Sequence, residues 1–302
     1  MSLPKIYTDE NAARRHLEKL QWPDGPICPH CGVVNEATKL EGKSTRPGVY
    51  KCRPCQKPFS VTVGTVYEDS KLPLHKWIYA THLLTSSKKG ISSHQLMRML
   101  GVSYKTAWFM SHRIREAMRP LVLTPMGGTG KVIEADETTS GKQEMAPKRI
   151  RKGGWGHRNI VMTLVERGGS ARSFHIDATS LNVMLPIVRT NVRRESSLMT
   201  DQAKWYTSIG KEFASHGTVN HEIKEYARGE ISSNTVEGYF SIFKRGMKGI
   251  YQHCSEKHLH RYLSEFDFRY SNRVGLGIGD AERADKALEG IRGKRLTYRR
   301  PH

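Results

Sequence analysis

Hydrophobic and polar positions divide this chain into a largely helical front and a mixed back. Residues 8–20 read as a short amphipathic helix with Thr8 as its N-cap, broken by Pro23, Gly25 and Pro26. Residues 50–51 and 59–66 carry β-branched and aromatic residues at strand-like spacing. From Pro73 the period becomes helical, with Trp77, Ile78, Ala80, Leu83 and Leu84 as its apolar positions. Residues 91–108 then predict a helix, a turn at Gly101 and a second helix opened by Ser103 that runs on through Trp108, His112, Arg113 and Arg115. This order fits a helix-turn-helix; an ordinary helical hairpin with a solvated basic face is the alternative, and the turn position and basic bias favour DNA binding.

Past a linker at residues 125–130, strands are expected at residues 132–135, 159–166 and 172–176, with Gly168 and Gly169 marking a hairpin between the last two. A helix over 181–194, a short strand over 197–199 ending at Asp201 and a brief strand at Val219 follow. Helices over 233–244 and 258–270 complete the pattern. Three antiparallel strands followed by alternating helix and strand predict an α/β class, a mixed sheet of the ribonuclease H-like kind. The expected domains are an N-terminal helix with a metal ribbon (1–68), a helix-turn-helix region (69–124), the α/β core (130–275) and a basic C-terminal tail (276–302).

Charge sharpens this picture. The 302 residues hold 49 Lys and Arg against 29 Asp and Glu, a formal net charge of +20, which calls for a polyanionic partner, and double-stranded DNA is the expectation. Residues 71–120 concentrate it, with nine cations against the single acid Glu116, so Lys105, Arg113 and Arg115 are candidate DNA contacts. The stretch 148–158 has five cations and no acid. Its Lys148, Arg149, Arg151 and Lys152 belong either to a disordered loop or to one that orders on phosphate. No long apolar span or signal-like N-terminus appears, so a cytoplasmic, nucleoid-associated protein is expected.

Four of the five cysteines form two knuckles, Cys28-Pro29-His30-Cys31 and Cys52-Arg53-Pro54-Cys55, spaced C-x2-C-x20-C-x2-C. Duplicated pairs at this spacing read as a four-thiolate structural Zn²⁺ site, a zinc ribbon closing a β unit too small for its own core. Disulfides, the other reading, fit poorly with an intracellular basic chain. Cys254 is left over as a plain thiol.

Three acids carry the candidate chemistry. Asp136 and Asp201 follow apolar runs, and Glu237 lies in a helix with Lys244 seven residues further along the same face and Arg245 beside it. Singly each is ordinary for its position. Together, at the edge of one sheet, such carboxylates suit hard divalent ions, and two ions about 4 Å apart drive phosphodiester chemistry. Strand alternation puts Glu134 on the face of Asp136 and Glu137 on the opposite face.

The chain resembles the insertion-sequence DDE transposases of the ISXO-like group, over residues 15–275. The resemblance rests on both cysteine knuckles, on Glu134, Asp136, Glu137 and Thr138, on Thr200 and Asp201, and on Asn234, Glu237, Gly238, Tyr239, Phe240 and Lys244. Gly249, Tyr251, Phe266, Asp267, Arg269 and Asn272 continue it. It implies that Asp136, Asp201 and Glu237 bind Mg²⁺ or Mn²⁺, that Lys244 is the basic residue after the third acid, and that two or more protomers pair the element's ends. The implied activity is binding of terminal inverted repeats, cleavage at the ends and joining of 3′ ends to target DNA. One position departs from the family's pattern, with Ser140-Gly141-Lys142 standing where Gly-Gly-Lys is usual. A catalytically silent DNA-binding regulator and a nuclease without a joining step are the alternatives.

Overall fold

The structure is a computed structural model and describes residues 3–144, 157–219, 227–228 and 231–297. The chain divides into two compact units, one of residues 1–87, 91–119 and 279–302, the other of residues 88–90 and 120–278.

In the first unit, helix α1 (Glu10–Gln21) starts one residue later than expected from Thr8, because Asp9 rather than Thr8 caps it, its carboxylate accepting the Ala12 N–H at 2.6 Å. The ribbon is a three-stranded antiparallel sheet of β1 (Ala37–Lys39), β2 (Tyr50–Cys52) and β3 (Pro58–Phe59). The β-like stretch after Phe59 turns rather than continuing as a strand. Helix α2 (Leu74–Ser86) follows, then α3 (Ser93–Leu100) and α4 (Tyr104–Met118). Between them Gly101 sits at φ +60°, the left-handed position that ends α3, and Ser103 caps α4 through the Thr106 N–H at 3.2 Å. Residues 276–302, expected as a tail, hold a helix, Asp280–Glu289, that packs against α1, α2 and α4.

The second unit is built on a five-stranded sheet. Its strands are β4 (Val132–Lys142), β5 (Arg158–Glu166), β6 (Ala171–Ile176), β7 (Ser197–Asp201) and β8 (Ser215–Val219), ordered β6-β5-β4-β7-β8. The pairs β6-β5 and β5-β4 are antiparallel, β4-β7 and β7-β8 parallel, which is the mixed ribonuclease H-like sheet. β4 runs longer than its apolar start predicts, because it pairs with β5 all the way to a bulge at Ser140 and Lys142.

Helices cover both faces, so the central strands are buried almost throughout instead of alternating. Against one face, α5 (Leu181–Asn191) and α6 (Lys204–Gly210) pack on Ile133, Ala135, Met162, Leu164 and Leu198. Against the other, α7 (Asn234–Gly246) and α8 (Leu259–Ser271) pack on Val161, Val165 and Ala171. Asp267 of α8 ties that layer together, accepting from Ser173 Oγ at 2.7 Å and Tyr239 Oη at 2.6 Å. Among the described residues no helix is long and apolar enough to cross a membrane.

Candidate metal centres and the acidic site

Strand alternation assigns the acids to faces. Since Ile133 and Ala135 face α5 and α6, Glu134 and Asp136 face α7 and α8, and Glu137 faces α6. β4 and β7 pair in parallel at a constant offset, Val132 with Ser197 and Glu134 with Met199. Two residues on, the same offset sets Asp136, midway along β4, opposite Asp201 at the end of β7, so the two neighbouring strands bring these carboxylates together. The carboxylates of Asp136, Glu137 and Asp201 offer oxygens within 4.8 Å of one another.

Glu237 enters from α7 and stands outside that set, its Oε1 accepting from Ser233 Oγ at 2.9 Å. Its charge and that of Lys244 both act on Asp136. Burial raises the Asp136 carboxyl to about 7, with Asp201 and Glu237 adding to the rise against the Glu137 N–H bond and the Lys244 ammonium. Burial also raises Glu137, to about 8, even though Tyr206 Oη of α6 donates to it at 2.5 Å. Such a concentration of carboxylates in a poorly solvated site is relieved by a cation, and an all-oxygen donor set fits a hard divalent one.

Glu134 has a structural assignment. It is fully buried, and its two oxygens accept the backbone N–H groups of Thr235 (2.8 Å) and Val236 (2.9 Å), Thr235 Oγ1 (2.9 Å) and Arg167 Nε (2.6 Å). A strand carboxylate thereby satisfies the unpaired donors and positive end of α7. Arg167 extends the anchor to the carbonyl and hydroxyl of Ser232, each at 2.9 Å.

The second candidate centre is the ribbon. The four thiols of Cys28, Cys31, Cys52 and Cys55 lie within 4.8 Å of one another, with Sγ pairs Cys28–Cys55 and Cys31–Cys52 at 3.6 Å. Each knuckle turns through a left-handed residue just past its second cysteine, Gly32 at φ +78° and Gln56 at φ +59°. Four convergent thiolates fit a tetrahedral structural zinc.

The basic candidates fare unequally. Lys105 is exposed near the start of α4, and Lys244 and Arg245 are exposed on α7, with Arg245 Nε reaching Ser241 Oγ at 3.1 Å. Arg113 and Arg115 are corrected as DNA contacts, because both are buried, at 7% and 1% exposure. Arg113 donates to the carbonyls of Glu68 and Leu296, and Arg115 to Ser111 Oγ at 2.9 Å. They face inward because helix α4 is covered nearly all round over its last two turns. Lys148, Arg149, Arg151 and Lys152 lie outside the described residues. Strand alternation puts Glu137 on its face but does not reveal its partner, because Tyr206 lies on α6, a helix of only seven residues.

The fold is a ribonuclease H-like α/β core that follows the four-cysteine ribbon in the chain, and two family models match these parts. Residues 127–271 match the ISXO2-like transposase domain and residues 8–58 the transposase zinc-ribbon domain. The chain belongs to this family of insertion-sequence transposases. A protein of Halobacterium salinarum, described as an uncharacterized protein in transposable element ISH50, is 26% identical over 277 residues, covering 88% of this chain and 92% of its own length. Two solved structures show weaker likeness. A chain of the simian T-cell lymphotropic virus intasome in complex with PP2A regulatory subunit B56 gamma has a TM-score of 0.29 at 14% identity, over 57% of this chain and 63% of its own. A chain of the Mos1 strand transfer complex has 0.28 at 12%, over 70% and 74%.

Proposed function

We propose that this transposase binds the terminal inverted repeats of its insertion sequence, cleaves DNA at the element ends and joins the 3′ ends to target DNA. The observation that carries the reading is the meeting of Asp136, midway along β4, with Asp201 at the end of the adjacent β7, facing the helix that bears Glu237 and Lys244. Asp136 and Asp201 hold a shared Mg²⁺ or Mn²⁺, and Glu237 completes a second position from α7. A divalent cation bound there supplies an activated water or 3′-hydroxyl and charge for the leaving oxygen. The carboxylates need no covalent intermediate with DNA. Water adds to the scissile phosphorus as the 3′ oxygen leaves, and that 3′-hydroxyl later displaces an oxygen of the target strand.

Around this centre Lys244 and Arg245 neutralise backbone phosphates. Lys105, at the exposed start of α4, approaches DNA from a helix-turn-helix within residues 69–124. The ribbon within 1–68 adds a second DNA contact, and residues 130–275 carry the catalysis. At least two protomers act together to hold two ends, on nucleoid DNA in the cytoplasm.

Incubating the full chain with end-containing DNA and Mg²⁺ or Mn²⁺ should give cleaved and then joined products. Asp136→Ala, Asp201→Ala and Glu237→Ala should each lower cleavage by at least about 10³-fold with the circular dichroism unchanged. Normal cutting by those variants refutes the site. Binding of ends without cutting by the wild type would favour a regulator, and cutting without joining a nuclease.

A further inference from the structure

The second unit also holds a cavity of about 480 Å³ walled by cations. Lys142 and Arg158 contribute from β4 and β5, Lys244 and Lys248 from α7 and its continuation, and among the described residues none that lines it is acidic. Local rules oppose both pairings. Lys142 and Arg158 are cross-strand register partners, and like charges directly opposite destabilise a sheet. Lys244 and Lys248 are four residues apart on one face, where like charges also repel.

The backbone is irregular at the same place from both sides. β4 bulges between Ser140 and Lys142, with Gly141 at φ +66°, which re-aims the strand end that carries Lys142. Helix α7 widens into a π-helical turn, Met247–Tyr251, followed by Gln252 at φ +58°. On the wall, Asn159 is 1% exposed, its Nδ2 held by the Lys142 carbonyl at 3.2 Å, while its Oδ1 has no hydrogen-bond partner among the described residues. A buried carbonyl oxygen left in that state costs free energy unless a ligand donor meets it.

Lys244 connects this cavity to the acids, since it lines the cavity and its charge acts on Asp136. Lys142 lies six positions beyond Asp136 on β4, at most ~20 Å along the strand. A duplex does not enter a space of this size, which is that of a site for one small ligand.

We propose that the cavity is a subsite for one unpaired nucleotide of the strand being cut. Lys142, Arg158 and Lys248 hold its phosphate, Met247 and Leu259 meet the apolar face of its base, and Asn159 Oδ1 accepts an N–H from the base edge. The inference rests on reading Asp136, Asp201 and Glu237 as the cleavage site.

The test is binding by the full-length, zinc-loaded protein without added Mg²⁺, using fluorescence anisotropy on end-containing duplexes with and without a short unpaired tail. The tailed DNA should bind about 10-fold tighter. Lys142→Gln with Lys248→Gln, both exposed side chains, should remove that preference and leave affinity for the blunt duplex within about 2-fold. A 2-aminopurine in the tail should change its fluorescence with the wild type and not with the double variant. Equal binding of tailed and blunt DNA, equal weakening of both by the variant, or a silent 2-aminopurine overturns the subsite. Because no cleavage is needed, a persistent tail preference in a protein that never cuts would overturn the metal-site reading and leave the subsite standing.

Discussion

Glu134 of β4 accepts the backbone N–H of Thr235 at 2.8 Å, so the strand that carries Asp136 also holds the first turn of the helix that carries Glu237. Two parts of the acidic site distant in sequence are therefore registered to each other by one buried carboxylate. Glu134→Ala leaves Arg167 and the helix N–H groups without it and should cost about 3–5 kcal/mol in urea unfolding. Glu134→Gln keeps the shape and should cost less, about 1–3 kcal/mol. A loss below about 1 kcal/mol for the alanine variant would contradict the anchor.

Asp136 and Glu137 predict a pH dependence. Their folded values, about 7 and about 8, lie above the ordinary 3.8 and 4.5 because burial penalises the ionised forms. The folded state therefore binds more protons than the unfolded one in this window, and stability falls as pH rises from about 4 through 8. Subtracting the profile of an Asp136→Asn, Glu137→Gln variant from that of the metal-free wild type should isolate this slope. Each kcal/mol corresponds to about 2–4 °C in Tm for a unit of this size. Mg²⁺ should stabilise the wild type more at pH 8 than at pH 6, and equal stabilisation at both would count against the assignment.

The ribbon should depend on metal. Cys28→Ser or Cys52→Ser should release zinc, measured by elemental analysis, and weaken DNA-end binding, while the metal-dependent Tm shift of the acidic site persists. Unchanged zinc content would remove the ribbon assignment.

Arg115 and Lys105 on α4 separate folding from recognition. Arg115→Ala should destabilise by about 2–4 kcal/mol, since the side chain is buried, without changing the salt dependence of DNA binding. Lys105→Ala should do the reverse, weakening binding about 2- to 10-fold with stability within about 0.5 kcal/mol. Exchange of those phenotypes would restore Arg115 as a DNA contact.

Much of this was legible in the sequence where a rule has a fixed period or spacing. The knuckle spacing named the ribbon, and strand alternation put Glu134 beside Asp136 and Glu137 opposite, as the packing of α7 and α6 shows. What alternation could not supply was the partner on the far side. Tyr206 lies 69 residues from Glu137, on a helix too short to announce itself. Arg113 and Arg115 misled because charge count measures composition, whereas burial depends on what packs around α4, including the C-terminal residue Leu296. The helix Asp280–Glu289 was hidden for the same reason, its own charged residues and the basic run after it outweighing its apolar stripe.

β4 has one more consequence. Within eleven residues it presents the α7 anchor, the two adjacent acids and, beyond its bulge, the cation at Lys142. Because neighbouring positions point to opposite sides, inserting a single amino acid upstream of Glu134 would turn Asp136 and Glu137 each to the other's face of the sheet and strand the anchor among aliphatic side chains. The strand thus behaves as a ruler that tolerates substitution at its ends but no change in length, and insertion or deletion scanning should find residues 132–140 the least forgiving stretch of the sheet.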